Sequence, residues 1–410
     1  MRAIASAAAA VASTALCCCC TGRALAFTGA THALRPRDMA TSQILMSHGT
    51  DAAAAPPAAA SAYEQRKEQL KQVLAREYRS FFDPFESEYY RPNVKFIDPL
   101  NSLEGAENYA NNVNMLGGRT LIGKVLFKDA RINLHSVDEP GPRRLRTRWT
   151  LSMCFKLLPW QPTPVFTGVS EYTLDDEGYI VQQNDFWDSI NLKGGRYEAQ
   201  GKLVGLADFA AQLKSDDEAK SATQGELPFE LLRRAATYEV RRYPATVVAS
   251  AAYETRPEGY AQLGAYADGA NSAKQKLSPL SPSVMEIQRT GEQGGKTMLW
   301  PLAYRMPGGK LVNLGGLGEA PEAASGGVTV AERPACVVAV MKFADPTTEQ
   351  FVKYYTAQLD AVARADGLVP KAAAADAYTV AQYNAIYSLS KRRNEVWLPL
   401  EGHDWQERGF

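Results

Sequence analysis

The chain has 410 residues, with 45 Lys and Arg balancing 45 Asp and Glu, so no net charge draws it onto nucleic acid or an acidic membrane surface. A composition of 45% hydrophobic and 10% aromatic residues suits globular folding, and the length exceeds what one ordinary domain uses, which makes two domains the expectation. Four of the six cysteines form the run Cys17 to Cys20 and only four histidines exist, His32, His48, His135 and His403, a supply that excludes a disulfide framework and a zinc-ligand pattern.

The first sixty residues read as an address. Arg2 precedes a largely apolar run from Ala3 to Cys20 and then small residues at Ala24 and Ala26, the order of a secretory signal whose core is too short to favour a membrane span. From Phe27 to about Ala60 the chain carries Arg35, Arg37, Ser, Thr and an Ala/Pro tract, as a second, disordered leader would. The junction "ALAFTGA", with Phe27 just after the expected cleavage point, resembles the two-part leaders that enter the plastids of red-lineage algae. Simple secretion is the alternative; the few cysteines left beyond the leader suit a reducing stroma, and plastid is the expected compartment.

A first folded domain is expected over residues 62–195. "SAYEQRKEQLKQVLAREYRSFF" places Tyr63, Leu70, Val73, Leu74 and Phe81 on one side of an amphipathic helix. A shorter helix is predicted over residues 103–116, ended by Gly117 and Gly118, and four strands over "VLFKDARINLHSV", "RRLRTRWTLSMCFKL", "PVFTGVSEYTLDD" and "GYIVQQNDFWDSI". Helices followed by a curled antiparallel sheet make an α+β order. "YYRPNVKFIDPL", Tyr89 to Leu100, and "NDFWDSIN", Asn184 to Asn191, resemble an uncharacterised plastid family of the nuclear-transport-factor-2-like cone fold. That superfamily holds enzymes and plain binding modules alike, so the resemblance implies a cone that serves as a partner-binding or second ligand domain and leaves activity open. Asp98 and His135 are the carboxylate and imidazole nominated for proton abstraction in it. The competing reading gives Asp98 to its own turn and His135 to a strand side facing water.

A polar linker over 196–227 leads to a second domain over 228–402 and a tail, 403–410. "YEVRRYPATVVASAAYE" reads as a long strand interrupted at Pro244, and "RPEGYAQLGAYADGAN" as a helix with Tyr260, Leu263 and Tyr266 or Ala267 on one face, closed by Gly269. The order recurs: an apolar strand in "ACVVAVMKF", an Asp345 cap with Pro346 at the first helical position, a helix bearing Phe351, Tyr355, Leu359 and Val362, then closing strands through "KRRNEVWLPL". The repeat suggests a two-fold β-rich shell with one helix on each half. Cys154 and Cys336, in strand-like apolar runs, read as buried inert thiols. The Gly/Ala-rich stretch from Gly308 to Val330 reads as a solvated loop.

"RRNEVW" at Arg392 to Trp397, with "YEVRRYPATVVA", "MLWPLAYRMPGG" and "AVMKFAD" in order before it, resembles the SOUL haem-binding protein family. The resemblance implies a distorted β-barrel with two helices and a pseudo-two-fold repeat, a haem or related tetrapyrrole ligand, and a carrier, buffer or regulatory role without catalysis. The rivals are a peripheral scaffold of plastid membranes and an enzyme using the cone. Where the family carries a Met-Thr/Ser-x-Pro-Val segment, this chain has Leu280-Ser281-Pro282-Ser283-Val284. No histidine lies between Pro228 and Gly402, so an axial imidazole could come only from His403 in the tail, which reads as solvent-facing; Tyr260, Tyr266, Met285 and Cys336 are conceivable ligands but read first as core or surface residues, so the expectation is tetrapyrrole binding without a firm axial bond. The expected site is a stacking face of Tyr260, Leu263, Tyr266 and Ala267 with Arg256 and Lys274 for the propionates, against the alternative that this stripe packs on the sheet. The arginine pair is expected to make an in-fold salt bridge or carbonyl clamp, with ligand contact as the alternative.

Overall fold

The computed structural model describes residues 57–214, 225–288, 295–313, 318–324, 326–372, 377–383 and 392–402. Most of the expected leader and the tail with His403 lie outside the described residues. The first helix, α1 (Pro57–Arg79), begins with Pro in its first turn, where the missing N–H costs nothing. One side of it, Leu70, Val73, Leu74 and Tyr78, is buried against a six-stranded sheet. That sheet contains β1 (Tyr90–Ile97), β2 (Ser102–Glu104), β3 (Phe127–Gly141), β4 (Arg144–Phe155), β5 (Val165–Leu174) and β6 (Ile180–Trp187) in the order β2-β1-β6-β5-β4-β3. Only β1 and β6 run parallel.

Two helices, α2 (Ala106–Leu116) and α3 (Leu121–Leu126), follow β2 and meet the open end of the sheet. The predicted strand start at Val125 falls inside α3, which the Thr120 hydroxyl caps by accepting from Gly123 N at 3.0 Å. The strand begins only at Phe127. Gly168 in β5 sits where an added Cβ would press into the Phe186 carbonyl oxygen and the Trp149 ring. Gly168→Ala is therefore expected to cost about 2–3 kcal/mol in urea unfolding, and a cost near zero would mean that β5 and β6 can part without penalty.

The expected linker is partly structured. After α4 (Asp188–Asn191), β7 (Leu192–Lys193) and β8 (Arg196–Tyr197), helix α5 (Lys202–Gln212) lays Gly205 on the Pro99 carbonyl and buries Phe209 in the first core, with Leu213 behind it. Phe209 and Leu213 are four residues apart, so one helix face holds both.

The second domain contains β9 (Glu230–Arg234), β10 (Glu239–Tyr243), β11 (Thr246–Ala252), α6 (Arg256–Ala267), β12 (Ser283–Gln288), β13 (Lys296–Arg305), β14 (Leu311–Val312), β15 (Val328–Arg333), β16 (Cys336–Phe343), α7 (Glu349–Ala365), β17 (Ala377–Gln382) and β18 (Asn394–Pro399). The sheet order β15-β11-β13-β12-β17-β18-β16-β10-β9 is two-fold about the β12/β17 pair. Each half contributes strand, strand, helix and two strands, and the halves exchange their first strands: β10 pairs with β16 and β15 with β11. Pro244 thus separates two strands with different partners instead of interrupting one. Both helices cover one face over a core that includes Leu263, Met285, Leu359 and Val396. On the other face Tyr243, Val248, Leu299, Val340 and Trp397 form one cluster, which strands so far apart in the order can do only if the sheet curls. The curl stays open among the described residues, since no pairing joins β15 to β9, so the expected barrel is a distorted, unclosed one. Helix α7 begins at Glu349 after Thr348, three residues later than the predicted cap, and Asp345 instead accepts the Tyr355 hydroxyl at 2.5 Å. No helix among the described residues is long and apolar enough to cross a membrane.

Candidate functional site

The first domain encloses a cavity of about 130 Å³, close to the about 150 Å³ of an apolar cavity able to take up benzene. Its walls come from α1, β1, α2, α3, β3 to β6 and α5, and Trp149, Phe155, Phe166, Trp187 and Phe209 make them aromatic. Polar groups gather on one side: Asp98, Tyr109, Gln183 and Asp185. Gln183 donates to Asp185 Oδ1 at 2.8 Å, while its own Oε1, buried, meets no hydrogen-bond partner. Behind them Ser170 Oγ accepts from Tyr78 at 2.9 Å and Trp149 Nε1 at 2.8 Å, fixing the wall. Burial pushes the Asp185 carboxyl up to about 7, and neighbouring Asp98 adds to the rise against the hydrogen bonds from Ser170 and Gln183. Burial likewise lifts Asp98 to about 6, although Leu100 N and Asn101 N both donate to it at 2.6 Å.

The nominated couple does not form. Ile132 lines the cavity, so His135, three residues along β3, faces the other way. It is buried, not solvent-facing: its Nε2 lies 2.8 Å from Thr150 Oγ1, and that hydroxyl donates to Leu231 O of β9 at 2.7 Å. Desolvation, with Arg148 and Arg242 nearby, holds the imidazole down at about 3 and hence neutral. Asp98 does reach the cavity, and its partner there is Asp185, a residue the sequence reading quoted inside "NDFWDSIN" without giving it a role. The rest of that motif is structural: Trp187 lines the cavity, Asp188 is buried with Arg148 at 3.0 Å and Tyr197 at 2.5 Å, and Asn191 accepts from Trp187 N at 2.7 Å.

In the second domain the predicted stacking face is spent on packing. Leu263, Tyr266 and Ala267 are buried, and the Tyr266 hydroxyl donates to Pro321 O at 2.6 Å. Pro321 belongs to the stretch expected as a loop; Ala323 there pairs with Asn271, and Ala324 N donates to Ala270 O at 3.1 Å, so the segment clamps the end of α6. Tyr260 is half-buried, 3.4 Å from Gln382 Oε1, and Lys274 is exposed. Both terminal nitrogens of Arg256 are bonded to Thr347, one to its hydroxyl and one to its carbonyl. Met285 is in the core, and Cys336 is exposed at the rim of the sheet, contrary to expectation, while Cys154 is buried. Among the described residues no group of three or more His, Cys, Asp and Glu could hold a metal ion.

The arginine pair divides. Arg393 makes a bidentate pair with Glu226 at 2.6 and 3.0 Å and stacks 3.8 Å over the Tyr383 ring, whereas Arg392 is exposed. The deeper ion pair is Glu395 with Arg241, both fully buried, joined by two hydrogen bonds of 3.0 Å. Tyr383 and Trp397 Nε1 donate to the same carboxylate, each at 2.9 Å.

Residues 224–399 match the family described as SOUL heme-binding protein, and residues 68–183 match Uncharacterized conserved protein (DUF2358). No curated protein matches the chain. Among solved structures it is similar to an NTF2-like protein of unknown function from Cytophaga hutchinsonii, at 16% identity and a TM-score of 0.22, over 30% of this chain and 89% of that one. It is also similar to a putative polyketide cyclase from Xanthomonas campestris, at 14% identity and 0.26, over 37% and 98%. These scores add nothing to the fold already described. The chain therefore carries, in tandem, a region that matches the DUF2358 family, folded as a curled six-stranded sheet with helices, and a region that matches the SOUL heme-binding family.

Proposed function

We propose that this chain is a plastid tetrapyrrole-binding protein, its second domain holding haem or a related macrocycle in a carrying, buffering or regulatory role without chemical turnover. The observation that carries the reading is the match of residues 224–399 to a heme-binding family. Leu263, Tyr266 and Ala267 do not fit a ligand face, because the core holds them. The outer side of α6 fits better: Pro257, Ala261 and Ala265 are exposed there and Gly264 has open space beside it. Short side chains let a flat ring system lie close to the helix, and its burial returns about 25 cal/mol per Å². Arg256, held by Thr347, and Lys274 would supply cations for propionates. Binding without an imidazole from this domain should tolerate loss of the metal. Titration with haem and with metal-free porphyrin is thus expected to show saturable one-to-one binding of both, and Ala261→Glu to weaken each at least about tenfold, about 1.4 kcal/mol. A haem absorption spectrum left unchanged by the protein overturns the reading.

A second reading concerns the cone and is favoured by the unpartnered Gln183 Oε1 beside Asp185. An apolar molecule of about benzene size with a hydroxyl or amine would fill the cavity and satisfy that oxygen. A carboxyl poised near neutrality at the same wall is also suited to general acid–base work, which keeps an enzymatic role for this domain in play.

A further inference from the structure

We infer that the α3 corner of the first domain docks on an anionic lipid surface. Leu121, Ile122 and Val125 project from one side of α3 and are 84%, 48% and 57% exposed, and Leu157, beside them, is 48% exposed. Lys156 ties that neighbour to the helix, its backbone N donating to Leu126 O at 2.9 Å and its ammonium to Lys124 O at 2.7 Å. Four large aliphatic side chains left in water on so small a corner are unusual for a folded surface.

The charges around them argue what covers them. Over residues 119–131 the cations are Arg119, Lys124, Lys128 and Arg131 and the only acid is Asp129, and Lys156 adds a fifth cation. The neutral total for the chain conceals this local excess, so the exclusion of acidic membranes drawn from net charge does not hold here. Aliphatic side chains with flanking lysines whose stems can lie along the headgroups are the composition of an interfacial anchor. The next residues inward, Leu126 and Phe127, line the cavity, so the docked face would be the outer side of the cavity wall. This inference is independent of the tetrapyrrole reading, which concerns the other domain.

The test uses the chain from Pro57, which keeps every residue of all three cores and leaves out the largely apolar run from Ala3 to Cys20 that would itself partition into lipid. It is sedimented with phosphatidylcholine vesicles with and without phosphatidylglycerol. Expected is binding to the anionic vesicles alone, weakened by salt, and reduced at least tenfold in the Leu121→Ser/Val125→Ser variant with its urea unfolding curve unchanged. Lys124→Glu/Lys128→Glu should abolish the preference for phosphatidylglycerol. Absence of vesicle binding by the parent, or binding that survives the serine pair, overturns the inference. A concentration-dependent dimer that the serine pair abolishes, without vesicle binding, would assign the corner to a second copy of the chain and overturn it equally.

Discussion

Glu395→Ala is expected to destabilise the second domain by about 3–5 kcal/mol, whereas Arg241→Met combined with Glu395→Leu should cost far less. The asymmetry follows from the surroundings. Glu395 sits in β18 between β16 and β17, fully buried, and accepts from Arg241, Tyr383 and Trp397. Removing it takes two hydrogen bonds from a guanidinium that has no water to turn to and keeps only Glu239 as its acid partner among the described residues, and Tyr383 and Trp397 each lose an acceptor. Removing both charges leaves a volume that apolar side chains can fill, and Glu239 keeps its ion pair with Lys342 at 2.7 Å. Glu239 shares the load: burial works against its charge, yet Arg241 and Lys342 hold its carboxyl at about 2. A carboxyl depressed on folding lends stability above its unfolded value, and that stability is lost as pH falls from about 4.5 toward 2. Urea unfolding of the parent and the two variants at neutral pH decides the matter, and a Glu395→Ala cost below about 1 kcal/mol would mean the pair is not dry.

What the sequence made legible and what it hid divide along physical lines. Alternation and helical spacing located the six-stranded sheet's main strands and both second-domain helices, because period and burial are coupled along each element. The internal repeat was legible for the same reason, but the exchange of β10 and β15 between halves was not, since strand partners are long-range facts. Helix α5 was hidden by its small residues, Gly205, Ala207, Ala210 and Ala211, which weaken an apolar stripe even though Phe209 carries its packing. The tyrosine face of α6 showed the limit most plainly. Periodicity says that Leu263, Tyr266 and Ala267 share a side and cannot say whether protein or ligand lies against it. Asp98 was nominated as the acid of a couple with His135, with its Asp-Pro turn as the competing reading, and Asp185 carried no local signal: an acid on an alternating strand usually faces water, whereas here the strand's polar side faces a cavity.

Asp185→Asn is expected to flatten the pH dependence of the first domain's stability. A carboxyl raised on folding from 3.8 to about 7 adds stability that is complete below pH 3.8 and lost as pH rises through 7. Asp98, lifted to about 6, and Glu77, lifted to about 7 mainly by burial, act in the same direction, so the parent should weaken between pH 5 and pH 8. Asparagine keeps the shape of the protonated carboxyl and never ionises. The variant should lose about 1–3 kcal/mol less than the parent across that interval, measured by urea unfolding at both ends. An equal loss in both proteins would place the Asp185 carboxyl in contact with water and remove it as the polar reader of the cavity. The same titration bears on ligand choice. Below pH 7 the neutral acid can donate to a ligand oxygen while Gln183 Oε1 accepts, a pairing that a hydroxyl satisfies from both sides. Above pH 7 the carboxylate only accepts, and the wall then favours a ligand with two donors.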